Sequence, residues 1–361
     1  MANDPSMRVH REWASRPADE KWLSLTALHT FLYGLASTSR RGKISTSDLE
    51  VKPKGDDIVL SAGKTDLTLN NWSARQLSAL SGIPAAMYEQ PADLLARNFN
   101  WGLRSRETED VQLLATRRAS DWQVRAMTGP TYGAIENHEV VKALMDQVGD
   151  GVTGSWRVPG IRGTKLDKVT PENTTIFGGD QDIFVFLADE EHRVEVKGRR
   201  DGKPGTLARG FYITNSEVGS GKARIGLYLY DFLCANRIIW GMEQFEEISI
   251  RHTSRAPFRW LSEAQPKIQA FVEASAAPME SKIKAAQQHM LGSGDQIADF
   301  LNRRFTKTQT INMMAVHVEE EGRPVATRWD AVTAATAYAK SIPHQNERFQ
   351  VERKAGEMLT V

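Results

Sequence analysis

Residues 210–241, GFYITNSEVGSGKARIGLYLYDFLCANRIIWG, constrain the fold of this chain more than any other stretch. Phe211, Ile213 and Asn215 alternate with Tyr212 and Thr214 in a β-branched and aromatic run, the pattern of a strand covered on one or both faces. Asn215-Ser216-Glu217 and Gly219-Ser220-Gly221 then stop the strand, because their side chains bond back to the backbone and glycine accepts positive φ. Ile225, Leu227, Leu229, Phe232, Leu233 and Cys234 follow between Arg224 and Arg237, as a buried strand or helix with charged ends. A glycine-rich turn after a strand invites comparison with a phosphate-binding loop. The residues argue against it: Ser216 stands where that loop needs glycine, and Ala223 stands where its lysine is followed by a magnesium-binding hydroxyl. Asn215, Ser216, Glu217, Gly219 and Asn236 therefore read as a structural motif, holding the turn through local side-chain to backbone hydrogen bonds.

A chain of 361 residues can bury a large core in one elaborated domain or two. Its 46 basic and 45 acidic side chains leave a net charge of +1, so only local clustering can speak for or against a polyanionic partner. The single cysteine, Cys234, excludes an intramolecular disulfide and a multi-cysteine metal site and suits a reducing compartment. No apolar run approaches the length of a membrane span, and residues 1–20 are polar and of mixed charge rather than signal-like. The expectation is a cytoplasmic protein with no membrane partner and no cofactor.

Patterning divides the chain into four. Residues 1–20 are expected to be a flexible arm. Residues 21–105 read as an N-terminal helix, a small sheet and an αα-hairpin, because leucines recur at helical spacing from Trp22 to Leu35, alternation follows over 44–69, and Gly82-Ile83-Pro84 separates two further helical runs. The second of those runs carries only Arg97 against Glu89 and Asp93, which suits packing better than reading DNA. Residues 106–260 form a central α+β core, with strands expected over 111–116, 122–127, 182–187 and 210–215 and a helix over 138–148. Residues 261–361 are a helical C-terminal region, rich in Ala, Gln, Glu and Lys. The predicted class is α+β: a central, mainly antiparallel sheet with flanking helices and a helical C-terminal region.

Several segments together carry a resemblance. Gln76 with Gly82-Ile83-Pro84 and Pro91, Val124-Arg125-Ala126 with Tyr132 and Asn137, residues 180–189, Asn215-Ser216-Glu217-Val218-Gly219 with Cys234-Ala235-Asn236, Arg251-His252-Thr253, and Trp329-Asp330 with Glu352, Ala355 and Gly356 are similar to the domain of unknown function 932 family. The resemblance runs from about residue 67 to the C-terminus and implies a phage or plasmid context. It brings no catalytic mechanism.

Three clusters gather basic residues, two of them with aromatic neighbours. Arg117, Arg118, Trp122 and Arg125 form the first, Arg199, Arg200 and Lys203 the second, and Arg251, Arg255, Phe258, Arg259 and Trp260 the third. Such mixtures neutralise phosphates while aromatic faces stack on bases. They favour a nucleic-acid-binding protein, with DNA the partner and single strands in replication or recombination the form it handles. The alternatives are an oligomeric assembly protein built through its helical region, and a metal-dependent enzyme acting on nucleic acid. For the latter only Asp180, Asp182 and Glu217 are placed where strand ends converge; the eight histidines have no metal-binding spacing, so no catalytic or metal residue is assigned.

Overall fold

A computed structural model describes residues 16–159, 169–171, 174–196, 205–231, 236–239, 248–273, 277–342 and 345–359. The fold is α+β, as the patterning predicts. The first strand and α-helix of the described residues are β1 (Lys21–Trp22) and α1 (Leu25–Ser37), whose first turn is capped by Ser24 Oγ accepting from the Ala27 amide. Leu25, Leu28, Leu32 and Leu35 make the buried stripe of α1. Four strands follow, β2 (Ser39–Ser45), β3 (Leu49–Lys54), β4 (Asp57–Ala62) and β5 (Thr65–Leu69). The αα-hairpin is α2 (Asn71–Ser81) and α3 (Ala92–Ser105), and the hairpin β6 (Asp110–Arg118) and β7 (Asp121–Thr128) comes next. These six strands form one mixed sheet in the order β2-β6-β7-β5-β4-β3, with β5 and β7 parallel. Its outer face is covered by the hairpin, through Leu77, Leu95, Phe99 and Leu103.

The second sheet is antiparallel. After α4 (Asn137–Val148) come β8 (Trp156–Arg157), β9 (Ile176–Gly178), β10 (Ile183–Val196), β11 (Gly205–Asn215), β12 (Ala223–Asp231), β13 (Asn236–Ile239) and β14 (Ile248–Ile250). Its main path runs β1-β9-β10-β11-β12-β13, with β8 on β10 and β14 on β12. Both faces are dry at the centre. Ile183, Val185 and Leu187 point with Phe211 and Ile213 towards α1 and α4, while Phe184, Phe186, Tyr212 and Tyr228 form an aromatic cluster on the other side.

From Ala256 the described residues are mainly helical. A short α5 (Ala256–Arg259) runs through a π turn at Trp260–Ala264 into α6 (Gln265–Glu273), followed by α7 (Ala277–Gln288), α8 (Gly294–Asn302), α9 (Lys307–Glu321), α10 (Arg328–Ala339) and α11 (Gln345–Glu357). Helices α7 to α11 enclose their own core around Trp329 and Met313, closed by Val194, Val196, Leu207 and Leu229 from the far ends of β10, β11 and β12. No helix among the described residues is long and apolar enough to cross a membrane.

Three expectations are corrected. The four strands at 111–116, 122–127, 182–187 and 210–215 do not share a sheet: the first two lie in the six-stranded sheet and the last two in the antiparallel one. The six-stranded sheet takes strands from both sides of residue 105, so the expected boundary there cuts through the paired strands β2 and β6, in which Arg41 lies opposite Leu114. Of the expected arm of 1–20, residues 1–15 lie outside the described residues, while the Arg16 side chain is largely covered and pairs with Asp182 at 2.7 Å and Glu20 at 2.9 Å.

Candidate functional site

The two sheets meet where the turn after β11 reaches into the six-stranded sheet. Val218 lands against Leu114 and Ala126, and its carbonyl accepts hydrogen bonds from Trp72 Nε1 (3.0 Å) and Gln76 Nε2 (3.1 Å). Gln76 Oε1 in turn accepts from the Met127 amide, which fastens α2, β7 and the turn to one another. Gly219 makes the exit with φ +86°, a conformation that L side chains adopt only with strain.

Arg125 reaches this junction because of a bulge. The β6–β7 register shifts between Leu114 paired with Ala126 and Ala115 paired with Val124, leaving Arg125 as the extra residue on β7. Its Nη2 donates to Glu217 Oε1 at 2.6 Å and its Nε to the Asp180 carbonyl at 3.2 Å. The other carboxylate oxygen of Glu217 accepts from the Asn137 amide at 3.1 Å, so a side chain from the antiparallel sheet caps the first turn of α4. Asn215 Nδ2 donates to the Ile135 carbonyl at 2.7 Å and to Asn137 Oδ1 at 2.8 Å. Burial opposes ionisation of Glu217, but the Arg125 charge and hydrogen bonds from Glu136, Asn137 and Arg125 hold its carboxyl below the ordinary range.

A half-buried layer lies over this network. Glu136 hydrogen-bonds Glu217 and lies 3.4 Å from Arg41 Nη2; burial and the Glu217 charge push its carboxyl up to about 7. The ring of His252 stacks on Tyr132 with centroids 5.0 Å apart. Its Nδ1 is 3.1 Å from the Gly133 carbonyl, so Nδ1 carries the proton, and burial lowers the pKa and favours the neutral ring. Gly133 also donates its amide to the His252 carbonyl, and a Cβ on it would stand 2.1 Å from the Thr253 carbonyl oxygen, so only glycine permits this approach. Two buried atoms of the layer, Arg41 Nη1 and His252 Nε2, have no hydrogen-bond partner among the described residues.

The predicted site residues divide. Arg117 and Arg118 are exposed at the end of β6, and Arg251 and Arg255 are exposed between β14 and α5. Trp122 packs into the core under the αα-hairpin. Arg125 is almost wholly buried and committed to Glu217, which removes it from any phosphate. Arg259 is held by Glu263 through two 2.8 Å contacts, and Trp260 is core while Phe258 is exposed. Arg199, Arg200, Lys203 and Cys234 lie outside the described residues. In the turn motif only Ser216 acts locally, accepting from the Ser220 amide at 3.0 Å; Asn215 and Glu217 bond across the sheet junction instead. Asn236 opens β13 opposite Asp231, at the end of β12 remote from the turn. Asp182 is taken by Arg16, and Asp180 Oδ2 accepts from Asn70 Nδ2 at 3.3 Å. Among the described residues no three His, Cys, Asp or Glu side chains gather as a metal site.

Sequence reasoning passed over Arg40, Arg41, Lys43 and Glu136. The signal for the first three was the SRRGK run on β2, which reads as polar punctuation after α1 until the sheet order makes it an edge strand. Arg41 is opposite Leu114, and Ser39 is opposite Thr116 next to Arg117. No family model, curated protein or solved structure matches the chain. Its chemistry is therefore read from these residues alone.

Proposed function

We propose that the protein binds nucleic acid, single-stranded DNA above all, in the replication or recombination of a phage or plasmid. The observation that carries the reading is the position of β2. This edge strand bears Arg40 and Lys43 exposed and Arg41 half-buried, and it joins two of the arginine clusters. At its start the Thr38 carbonyl accepts from the Arg117 amide, and beside its middle Arg41 faces Glu136 and His252, the neighbour of Arg251. From Ser39 to Lys43 the strand covers about 13 Å, with Arg41 and Lys43 on its junction face and Arg40 on the face of the αα-hairpin, so a nucleic-acid strand running along this edge meets cations from both sides. An edge rich in Lys and Arg also blocks strand addition by another chain; the exposed Arg117, Arg118, Arg251 and Arg255, which lie off the edge strand, favour the nucleic-acid reading over that defensive role.

Binding of a labelled single strand at varied salt tests it. If Arg40, Lys43, Arg117, Arg118, Arg251 and Arg255 each neutralise one phosphate, log affinity should fall with log salt at a slope of about −4. Affinity that ignores salt would overturn the proposal. An assembly role has one observation of its own, Ile311 and Val318 exposed seven positions apart on α9. Light scattering on the purified protein separates the two readings, because that role requires an oligomer without DNA.

A further inference from the structure

A cleft of about 440 Å³ opens between α1, α4 and α6. It lies beside the proposed path, since His138 in its wall is two residues from Glu136, the partner of Arg41. Its volume falls in the range of small-molecule sites. Tyr33 stands in it 60 % exposed, an unusual position for a large aromatic ring on a helix that buries four leucines. The Tyr33 ring is bracketed by two histidines, stacked with His29 at 6.0 Å and edge-on to His138 at 5.9 Å. His138 Nδ1 is buried and has no partner among the described residues. Lys142 stands at the mouth with Asp146, and Gln147 and Gln265 add amide groups to the wall.

We propose that this cleft is a base subsite: an unstacked nucleobase of the bound strand lies on Tyr33, and its polar edge meets His138 and the two glutamines. The inference rests on the nucleic-acid reading and adds a site to it. Stacking does not depend on which base is present, because every base has a π face, whereas hydrogen bonds to a base edge give preference. His29, on one side of the bracket, is kept towards its neutral form by burial and by the neighbouring His138 and Lys142.

The test compares the parent with Tyr33→Ala and Tyr33→Phe, using a fluorescein-labelled single strand and the same strand with abasic positions, at several salt concentrations. Tyr33→Ala should weaken binding of the intact strand about five- to a hundredfold, as the loss of one stacked base does. The salt slope should stay that of the parent, since no phosphate contact is lost, and Tyr33→Phe should bind as the parent does. On the abasic strand Tyr33→Ala and the parent should be equal. An intact strand bound equally well by Tyr33→Ala overturns the base subsite and leaves the nucleic-acid reading standing. A parent that binds neither strand overturns both.

Discussion

Arg125, in the six-stranded sheet, and Glu217, in the turn that leaves the antiparallel one, lie 92 positions apart in the sequence, yet Arg125 Nη2 meets Glu217 Oε1 at 2.6 Å with both side chains almost wholly excluded from solvent. The pair is the polar centre of the junction. A β-bulge aims the guanidinium, a tight turn delivers the carboxylate, and the second carboxylate oxygen caps α4. Two charges so deeply buried are tolerated because each is satisfied by further groups, the Asp180 carbonyl for one and the Asn137 amide for the other.

Removing one member should therefore cost more than removing both. Arg125→Met is expected to lower unfolding stability by about 3–5 kcal/mol, because it strands the Glu217 carboxylate. Arg125→Met combined with Glu217→Leu should recover a large part of that loss. Urea unfolding of the three proteins measures it, and a double variant no more stable than the single one would mean that the pair acts mainly as the cap of α4.

Glu136 gives the junction a pH response of predictable sign. Its folded carboxyl titrates at about 7 against 4.5 unperturbed, so the folded chain holds a proton that the unfolded chain releases. The contribution is whole below the lower value and is lost as pH rises through the upper one. Against Glu136→Gln, which keeps a neutral donor towards Glu217, the parent should melt at the same temperature at pH 4 and at a lower one at pH 8. A parent that gains on the variant as pH rises would show that its pairing with Arg41 dominates.

Gly133 holds the loop before α4 against the segment carrying Arg251 and His252. Gly133→Ala drives its new methyl to within 2.1 Å of the Thr253 carbonyl oxygen and should cost about 1–3 kcal/mol through forced displacement. Gly129→Ala, where nothing lies within 4 Å, is the control and should be close to neutral. Thermal unfolding compares them; equal losses would place the cost in backbone freedom rather than in the contact.

The arginines of the first cluster should separate by burial. Arg117→Ala and Arg118→Ala should change stability by less than about 0.5 kcal/mol, and each should flatten the salt dependence of strand binding by about 0.7. Arg125→Ala should do the reverse, unfolding the protein more readily without a specific effect on the slope. Calorimetry and binding titrations on the same samples decide it.

The sequence by itself determined the elements. Period-two runs at 111–116, 122–127, 182–187 and 210–215 became strands, helical spacing from 261 onward became helices, and the α+β class followed, because both periodicities are properties of the local chain. It also marked Asn215-Ser216-Glu217-Val218-Gly219 as a turn whose residues have structural work, although it assigned that work to neighbouring backbone. What it could not carry was partnership between segments. The bulge at Arg125 depends on how β7 registers against β6, and the partner of Glu217 depends on where a second sheet docks. The same limit made one cluster out of Arg117, Arg118 and Arg125, since adjacency along a chain says nothing of which side chain faces water. Only the tertiary structure turned SRRGK into a basic edge, brought His138 against Tyr33, and put Glu136 beside Glu217, for these are contacts between residues tens of positions apart whose geometry is set by packing.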